Sequence, residues 1–217
     1  IGGTGATGKQ LLIQLIRNKN CELVTSIGRR PVLDGEKNDK LVDIVVESLF
    51  KLTSTENYWK DNDVFFNCIG TTRQRAGGAK EFINIESGIS NEAAKMAANA
   101  KIPHASLISA KGANHKIWAK DWIHPLLYMK TIGQKEQTIT SKFSFNSVSI
   151  FKPGMLIRLR GKQTWFEDFS QLKGFGLRVD TLASAMIHDA ERVRLGLVEK
   201  SPQFFIGNNN IKSSLEI

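Results

Sequence analysis

The sequence predicts an α/β chain wound on both faces of a parallel sheet, because strand-length apolar runs alternate with amphipathic stretches behind a glycine-rich turn. A helix is expected over 9–17, where Leu11, Leu12, Leu15 and Ile16 share one face. Strands are expected at 23–27, 44–46 and 64–69, the last nearly continuous in apolar residues, as suits a strand covered on both sides. An alanine-rich helix at 90–99 follows, then a strand at 102–108, a helix at 124–141 and a strand at 145–151 that stops at Lys152-Pro153-Gly154. Such alternation requires parallel pairing through right-handed crossovers. Beyond Pro153, Gly161, Gly174 and Gly176 interrupt the pattern before a helix near 181–190 and a strand at 203–206. Residues 1–217 read as one domain, with 155–217 partly forming a small C-terminal lobe on the substrate side that has no core of its own.

A chain of 217 residues with 41% hydrophobic and 24% charged residues can bury a core without disulfides or structural metal. No apolar run approaches the roughly 18 residues of a membrane-spanning helix. Cys21 and Cys68 fit no metal-ligand spacing and read as small core residues in a reducing compartment. The net charge of +9 suits an anionic membrane surface, nucleic acid or a phosphate-rich cofactor. Lysines and arginines are spread from Lys9 to Lys212, without an RNA-binding aromatic signature or zinc-finger spacing, which argues against nucleic acid. Peripheral membrane association stays open. The chain opens at Ile1-Gly2-Gly3, with almost no room for a strand ahead of the glycine turn, so the first strand is expected to be truncated and no targeting segment is readable.

Gly2, Gly5 and Gly8 form G-x-x-G-x-x-G, with Thr4, Ala6 and Thr7 among them, leading into the first helix. Glycines let backbone amides approach a pyrophosphate, and a helix amino terminus adds unpaired N–H groups and partial positive charge. The second expected strand ends in Ile27-Gly28-Arg29-Arg30. An acidic residue there would accept from the ribose hydroxyls of NAD, whereas Arg29 and Arg30 complement a 2′-phosphate, so the expected cofactor is NADP. Glu47 or Ser48 falls, by position alone, near the adenine.

The glycine turn, Ile27-Gly28-Arg29-Arg30, Cys68-Ile69-Gly70-Thr71-Thr72-Arg73 with Ala76-Gly77-Gly78, Ser109-Ala110-Lys111-Gly112-Ala113 and Phe151-Lys152-Pro153-Gly154 together carry a resemblance. The chain resembles the atypical short-chain dehydrogenase/reductases of the Tat-interacting-protein type, which have fungal mitochondrial relatives. The resemblance spans the chain to about residue 155, and Gly70-Thr71-Thr72-Arg73 is its most specific segment. It implies a Rossmann-type fold with NADP across the carboxyl ends of the strands. Gly70, Thr71 and Thr72 would lie beside the cofactor, and Pro153 and Gly154 near the nicotinamide. It also implies an unknown carbonyl substrate or a regulatory protein partner, in the cytoplasm or on the mitochondrial outer surface. The oligomeric state is not legible.

Reductases of this superfamily use a serine, a tyrosine and a lysine four residues beyond the tyrosine. Tyr58 precedes the expected strand at 64–69, whereas Tyr128 follows the one at 102–108, so Tyr128 is the candidate acid. Position 132 holds Ile132, not lysine; Lys130 points about 200° away around a regular helix, and Lys135 shares the face but lies further along it. Without an adjacent cation, a tyrosine of pKa about 10 is ionised in roughly one molecule per thousand at neutral pH. Ser109 is the candidate serine, although Ala110 stands where relatives tend to carry a second one. Enzymatic activity is therefore left open between an NADP-dependent reductase and a non-catalytic NADPH sensor or scaffold. The segment 113–128, longer than the family pattern, carries His115, Trp118, Trp122 and His124. It is expected as an amphipathic helix with packed tryptophans, with an aromatic lid as the alternative. His104 is expected at a strand edge and His188 on a surface helix, neither with metal-ligand spacing.

Overall fold

The computed structural model describes residues 1–120, 122–158, 176–198 and 200–216. Helix α1 (Ala6–Arg17) starts earlier than its apolar stripe suggests, because it leaves the glycine turn directly from Gly5. Strands β1 (Val24–Gly28) and β2 (Leu41–Val45) follow, then β3 (Val64–Asn67). Next come α2 (Arg73–Ala76), α3 (Ala79–Ile83), a π-helical turn at Asn84–Ile89 and α4 (Ser90–Asn99). The second half runs β4 (His104–Ile108), α5 (His124–Ser141), β5 (Ser147–Lys152), β6 (Leu156–Ile157), β7 (Leu177–Arg178), α6 (Val179–Arg194), β8 (Gln203–Ile206) and α7 (Asn208–Ser213).

Every described pairing is parallel. β1 pairs with β2, a second sheet has the order β3-β4-β5-β8, and β6 pairs with β7. All six residues of β5 are buried, as expected of a strand with helices over both faces. On one face Ala93, Ala94 and Ala97 of α4 pack close to the sheet with Ile139 of α5. On the other, Leu11 of α1 meets Leu182, Ala183 and Met186 of α6 over Phe151. The chain is therefore doubly wound. The residues of α6 share a core with α1, and β8 extends the main sheet, so neither builds a separate core. The glycine-interrupted stretch from 159 to 175, including Gly161 and Gly174, lies outside the described residues.

A cavity of about 940 Å³ separates β1 from β3, lined among others by Leu12, Ser26, Ile27, Phe65 and Phe66. Ile1 lies at this cavity, its amino group donating to Phe66 O (2.9 Å) and its carbonyl accepting from Cys68 N (3.0 Å). The lining of the cavity also includes Gly3 and Gly8 of the glycine turn. Cys68 is half-buried and free, and burial pushes its thiol up to about 11.

His104 is the first residue of β4, and it is 1% exposed because β4 lies inside the sheet, between β3 and β5. Its Nε2 lies 3.2 Å from Ser149 Oγ and 3.7 Å from Asp189 Oδ2 of α6. His188 lies on α6, the helix that packs with α1 over one face of the sheet, and is half-buried. Burial lowers His104 to about 4 and raises Asp189 to about 6, the latter opposed by the Ser149 hydrogen bond and the charges of Arg192 and His188. The two act on stability with opposite signs. His104 stays neutral in the fold while the unfolded chain protonates near 6.5, so its contribution is lost as pH falls from 6.5 toward 4. Asp189 takes up its proton in the fold near 6 but unfolded only near 3.8, so the same fall restores stability. Asp189→Asn removes the compensation. Between pH 7 and pH 4 the variant loses about 3 kcal/mol relative to wild type in urea unfolding. Parallel pH profiles for the two proteins would contradict this account.

Candidate cofactor and catalytic cleft

Parallel strands deliver their carboxyl ends to one edge of the molecule, and the segments after β1, β3, β4 and β5 bring Arg29, Gly70, Ser109 and Pro153 there. The glycine turn completes that edge. Gly2 has φ +85°, and a Cβ on it would come within 2.6 Å of the Cys68 carbonyl carbon. A Cβ on Gly8 would sit 2.1 Å from Gly2 O, so the first turn of α1 lies directly on the backbone of the glycine turn. Gly5 is the helix N-cap, with φ −76° and ψ 167° and no side-chain cap, and its N–H donates to Gly2 O (2.9 Å). The first N–H groups of a helix have no partner within it. Thr4 and Gly5 are exposed, Ala6 is half-buried, and Thr7 is buried. Close backbone approach, first-turn N–H groups without a partner inside the helix and the helix dipole are what an anion cradle requires, and the geometry fits a pyrophosphate.

The loop after β1 lies against the turn, since a Cβ on Gly3 would meet Val32 Cγ1 at 2.9 Å. Asp43 holds that loop by accepting from Val32 N (2.9 Å). Arg29 and Arg30 are exposed on it. After β3, Gly70 is exposed and Thr71 half-buried, while Thr72 caps α2 through a hydrogen bond from Arg75 N (3.3 Å). After β5, Pro153 O accepts from Lys111 N (2.8 Å), and Gly154 N donates to Asn208 Oδ1 (2.9 Å).

Tyr128 lies in the first half of α5, half-buried and stacked on Phe82 with ring centroids 5.9 Å apart. Burial and then the Glu86 carboxylate hold its phenol above its ordinary value, while the Arg158 guanidinium pulls the other way. Ile132 is 4% exposed, a packed core residue where the family's lysine would stand. Lys135 does not take that lysine's place. Its ammonium donates to Ile69 O (2.7 Å) and pairs with Glu86 Oε2 at 3.3 Å, both side chains being buried. Glu86 Oε1 in turn accepts from Thr71 N (2.6 Å), so this ion pair pins the 69–71 loop.

Ser109 follows β4, with its N–H donating to Phe151 O (2.7 Å). Its hydroxyl donates to Glu136 Oε1, and Glu136 Oε2 accepts from the Lys152 ammonium at 2.8 Å. Lys152 Nζ also donates to Ala113 O (3.0 Å), and all three side chains are buried. Two adjacent residues of α5, Lys135 and Glu136, thus anchor the loops on either side of the cleft. Sequence reasoning passed over Glu86 and Glu136 because they find their partners across 49 and 16 residues of chain, where no local pattern records a pairing. Lys135 and Lys152 were visible, one on the Tyr128 face and one ahead of Pro153, but not their partners.

The segment before α5 departs from expectation. Residues 110–120 and 122–123 form turns and irregular loop rather than an amphipathic helix, and Trp118 and Trp122 are 64% and 70% exposed rather than packed. A Cβ on Gly133 would be 2.3 Å from His115 N, so the backbone at residues 114–115 lies directly on α5.

No family model matches the chain. The mitochondrial protein FMP52 of Debaryomyces hansenii is 37% identical over 75% of this chain and 67% of its own length. FMP52 of Lodderomyces elongisporus is 33% identical over 91% of this chain and 82% of its own. Protein HTATIP2 of Rattus norvegicus is 30% identical over 85% of this chain and 72% of its own. Among solved structures, the oxidoreductase ylbE of Lactococcus lactis superposes with a TM-score of 0.69 at 14% identity, over all of this chain and 93% of that one. MoeE5 in complex with UDP-glucose and NAD gives a TM-score of 0.67 at 14% identity, over 99% of this chain and 79% of that one. These structures share the Rossmann-like fold. With relatives of this identity and coverage, the chain belongs to the atypical short-chain dehydrogenase/reductases of the FMP52 and Tat-interacting-protein type.

Proposed function

We propose that the chain binds NADP at the Gly2–Gly8 turn and exchanges hydride between it and a small carbonyl/alcohol pair. The observation that carries this reading is the packing of Gly8 on the Gly2 carbonyl at the amino end of α1, beside two exposed arginines. The turn amides receive the pyrophosphate, and Arg29 and Arg30 receive the 2′-phosphate. Gly70, Thr71, Pro153 and Gly154 border the nicotinamide end, and Thr72 contributes by ordering α2. The bound nicotinamide supplies or accepts the hydride. Tyr128, kept as a phenol by burial and by Glu86, exchanges the proton with the substrate oxygen, and Ser109 orients that oxygen. Without a lysine at position 132 the tyrosinate is not favoured, so turnover is slow. The fungal relatives are named mitochondrial, and a mitochondrial location is the reading they support. Among the described residues no helix is long and apolar enough to cross a membrane.

The packed Ile132 and the inward-bonded Ser109 favour a second reading, a sensor whose partner affinity changes when NADPH binds. Calorimetric titration with NADPH and NADH, on wild type and on Arg29→Ala/Arg30→Ala, tests the cofactor assignment. Both arginines are exposed, so the variant keeps the fold. It should lose about tenfold to a hundredfold in NADPH affinity, with NADH unchanged. Equal affinity of wild type for the two cofactors would refute the choice of NADP.

A further inference from the structure

We infer that Glu136 and Lys152 set the direction of the Ser109 hydroxyl, so that Ser109 faces the cleft as a hydrogen-bond acceptor and the site grips the alcohol member of its substrate pair. This rests on the oxidoreductase reading of the cleft. A serine hydroxyl has one proton to donate and lone pairs to accept with, whereas an ionised carboxylate only accepts. Lys152 Nζ contacts Glu136 Oε2 at 2.8 Å and Ala113 O at 3.0 Å, so an ammonium faces the far side of the carboxylate. The proton between Ser109 Oγ and Glu136 Oε1 is then the serine's own. Only lone pairs of Oγ remain for a ligand. A carbonyl oxygen would oppose them, whereas an alcohol donates its O–H to them.

Turning the hydroxyl outward would leave Glu136 Oε1 without that partner in a residue only 9% exposed, and an unpaired buried acceptor is costly. The backbone gives no way round this, because Ser109 N is tied to Phe151 O. Glu136 and Lys152 are positioning residues: they act on the ligand through Ser109. The isosteric Glu136→Gln reverses the arrangement. Lys152 retains the amide oxygen, the amide N–H₂ faces Ser109 and donates to it, and the serine proton is released toward the cleft.

Two measurements on the full chain test this. Neutron diffraction from deuterium-exchanged crystals should place the Ser109 deuterium on Oγ, directed at Glu136 Oε1. A deuterium directed into the cleft, or carried by Glu136, overturns the inference without reference to any cofactor. NMR titration of the protein with NADP(H) present should show benzyl alcohol binding about three- to tenfold more tightly than benzaldehyde. That preference should vanish in Ser109→Ala and shift toward benzaldehyde in Glu136→Gln. Tighter or equal binding of the aldehyde by wild type, or binding of neither probe, overturns it. NADPH uptake by the same samples reports separately on the cofactor reading, and circular dichroism shows whether Glu136→Gln has kept the fold; if it has not, Ser109→Ala decides.

Discussion

Gly8→Ala will abolish cofactor binding and destabilise the domain by about 3 kcal/mol or more, although it adds a single methyl group. The added carbon would lie 2.1 Å from Gly2 O and 2.8 Å from Gly2 C, and both are backbone atoms that no rotamer change can move away. Relief requires α1 to part from the turn. That separation dismantles the array of amides in which the anion would sit, so NADPH affinity should fall by more than about a hundredfold. Urea unfolding and calorimetry read the two losses. A variant of wild-type stability would show that the turn has slack the packing does not reveal.

Lys135→Met is expected to cost about 3–5 kcal/mol, because it leaves the Glu86 carboxylate 1% exposed and without its cation. Adding Glu86→Gln should recover most of that loss. The amide oxygen still accepts from Thr71 N, and no charge remains buried. The two changes therefore should not add, and a double-mutant cycle of urea unfolding measures the coupling. A single-variant cost below about 1 kcal/mol would mean that the ion pair does not hold the 69–71 loop. The single variant should also weaken NADPH binding through that loop, which Lys135 holds by Ile69 O and Glu86 holds by Thr71 N.

Where local pattern governs structure, the sequence was readable. The alanine-rich α4, the long α5 and β8 fall at Ser90–Asn99, His124–Ser141 and Gln203–Ile206, the bounds their periodicity predicts. α6 extends past 181–190 to Val179–Arg194, because its ends mix Val179 and Val193 with Asp180, Glu191, Arg192 and Arg194, which breaks up the apolar signal there. The helices between Arg73 and Ile89 were hidden by the pair Gly77-Gly78 and a polar composition. Ile1, ahead of Gly2, is bonded to β3 and the residue after it, through Phe66 O and Cys68 N. At the cleft, the glycines and arginines stand out as candidates in the sequence because backbone approach and charge are properties of single residues. The two buried ion pairs do not, since each joins residues that only the fold brings together. The exposure of Trp118 and Trp122 was not legible either, since the loop that carries them meets α5 at Gly133, a contact no local pattern records.

The central claim is that the amide cradle of Gly2–Gly8 takes up a nicotinamide dinucleotide. Isothermal titration of folded wild-type protein with NADPH tests it most directly. The account predicts saturable one-to-one binding in the micromolar range or tighter, displaced by NADP⁺. A folded protein that takes up neither NADPH nor NADH would contradict it.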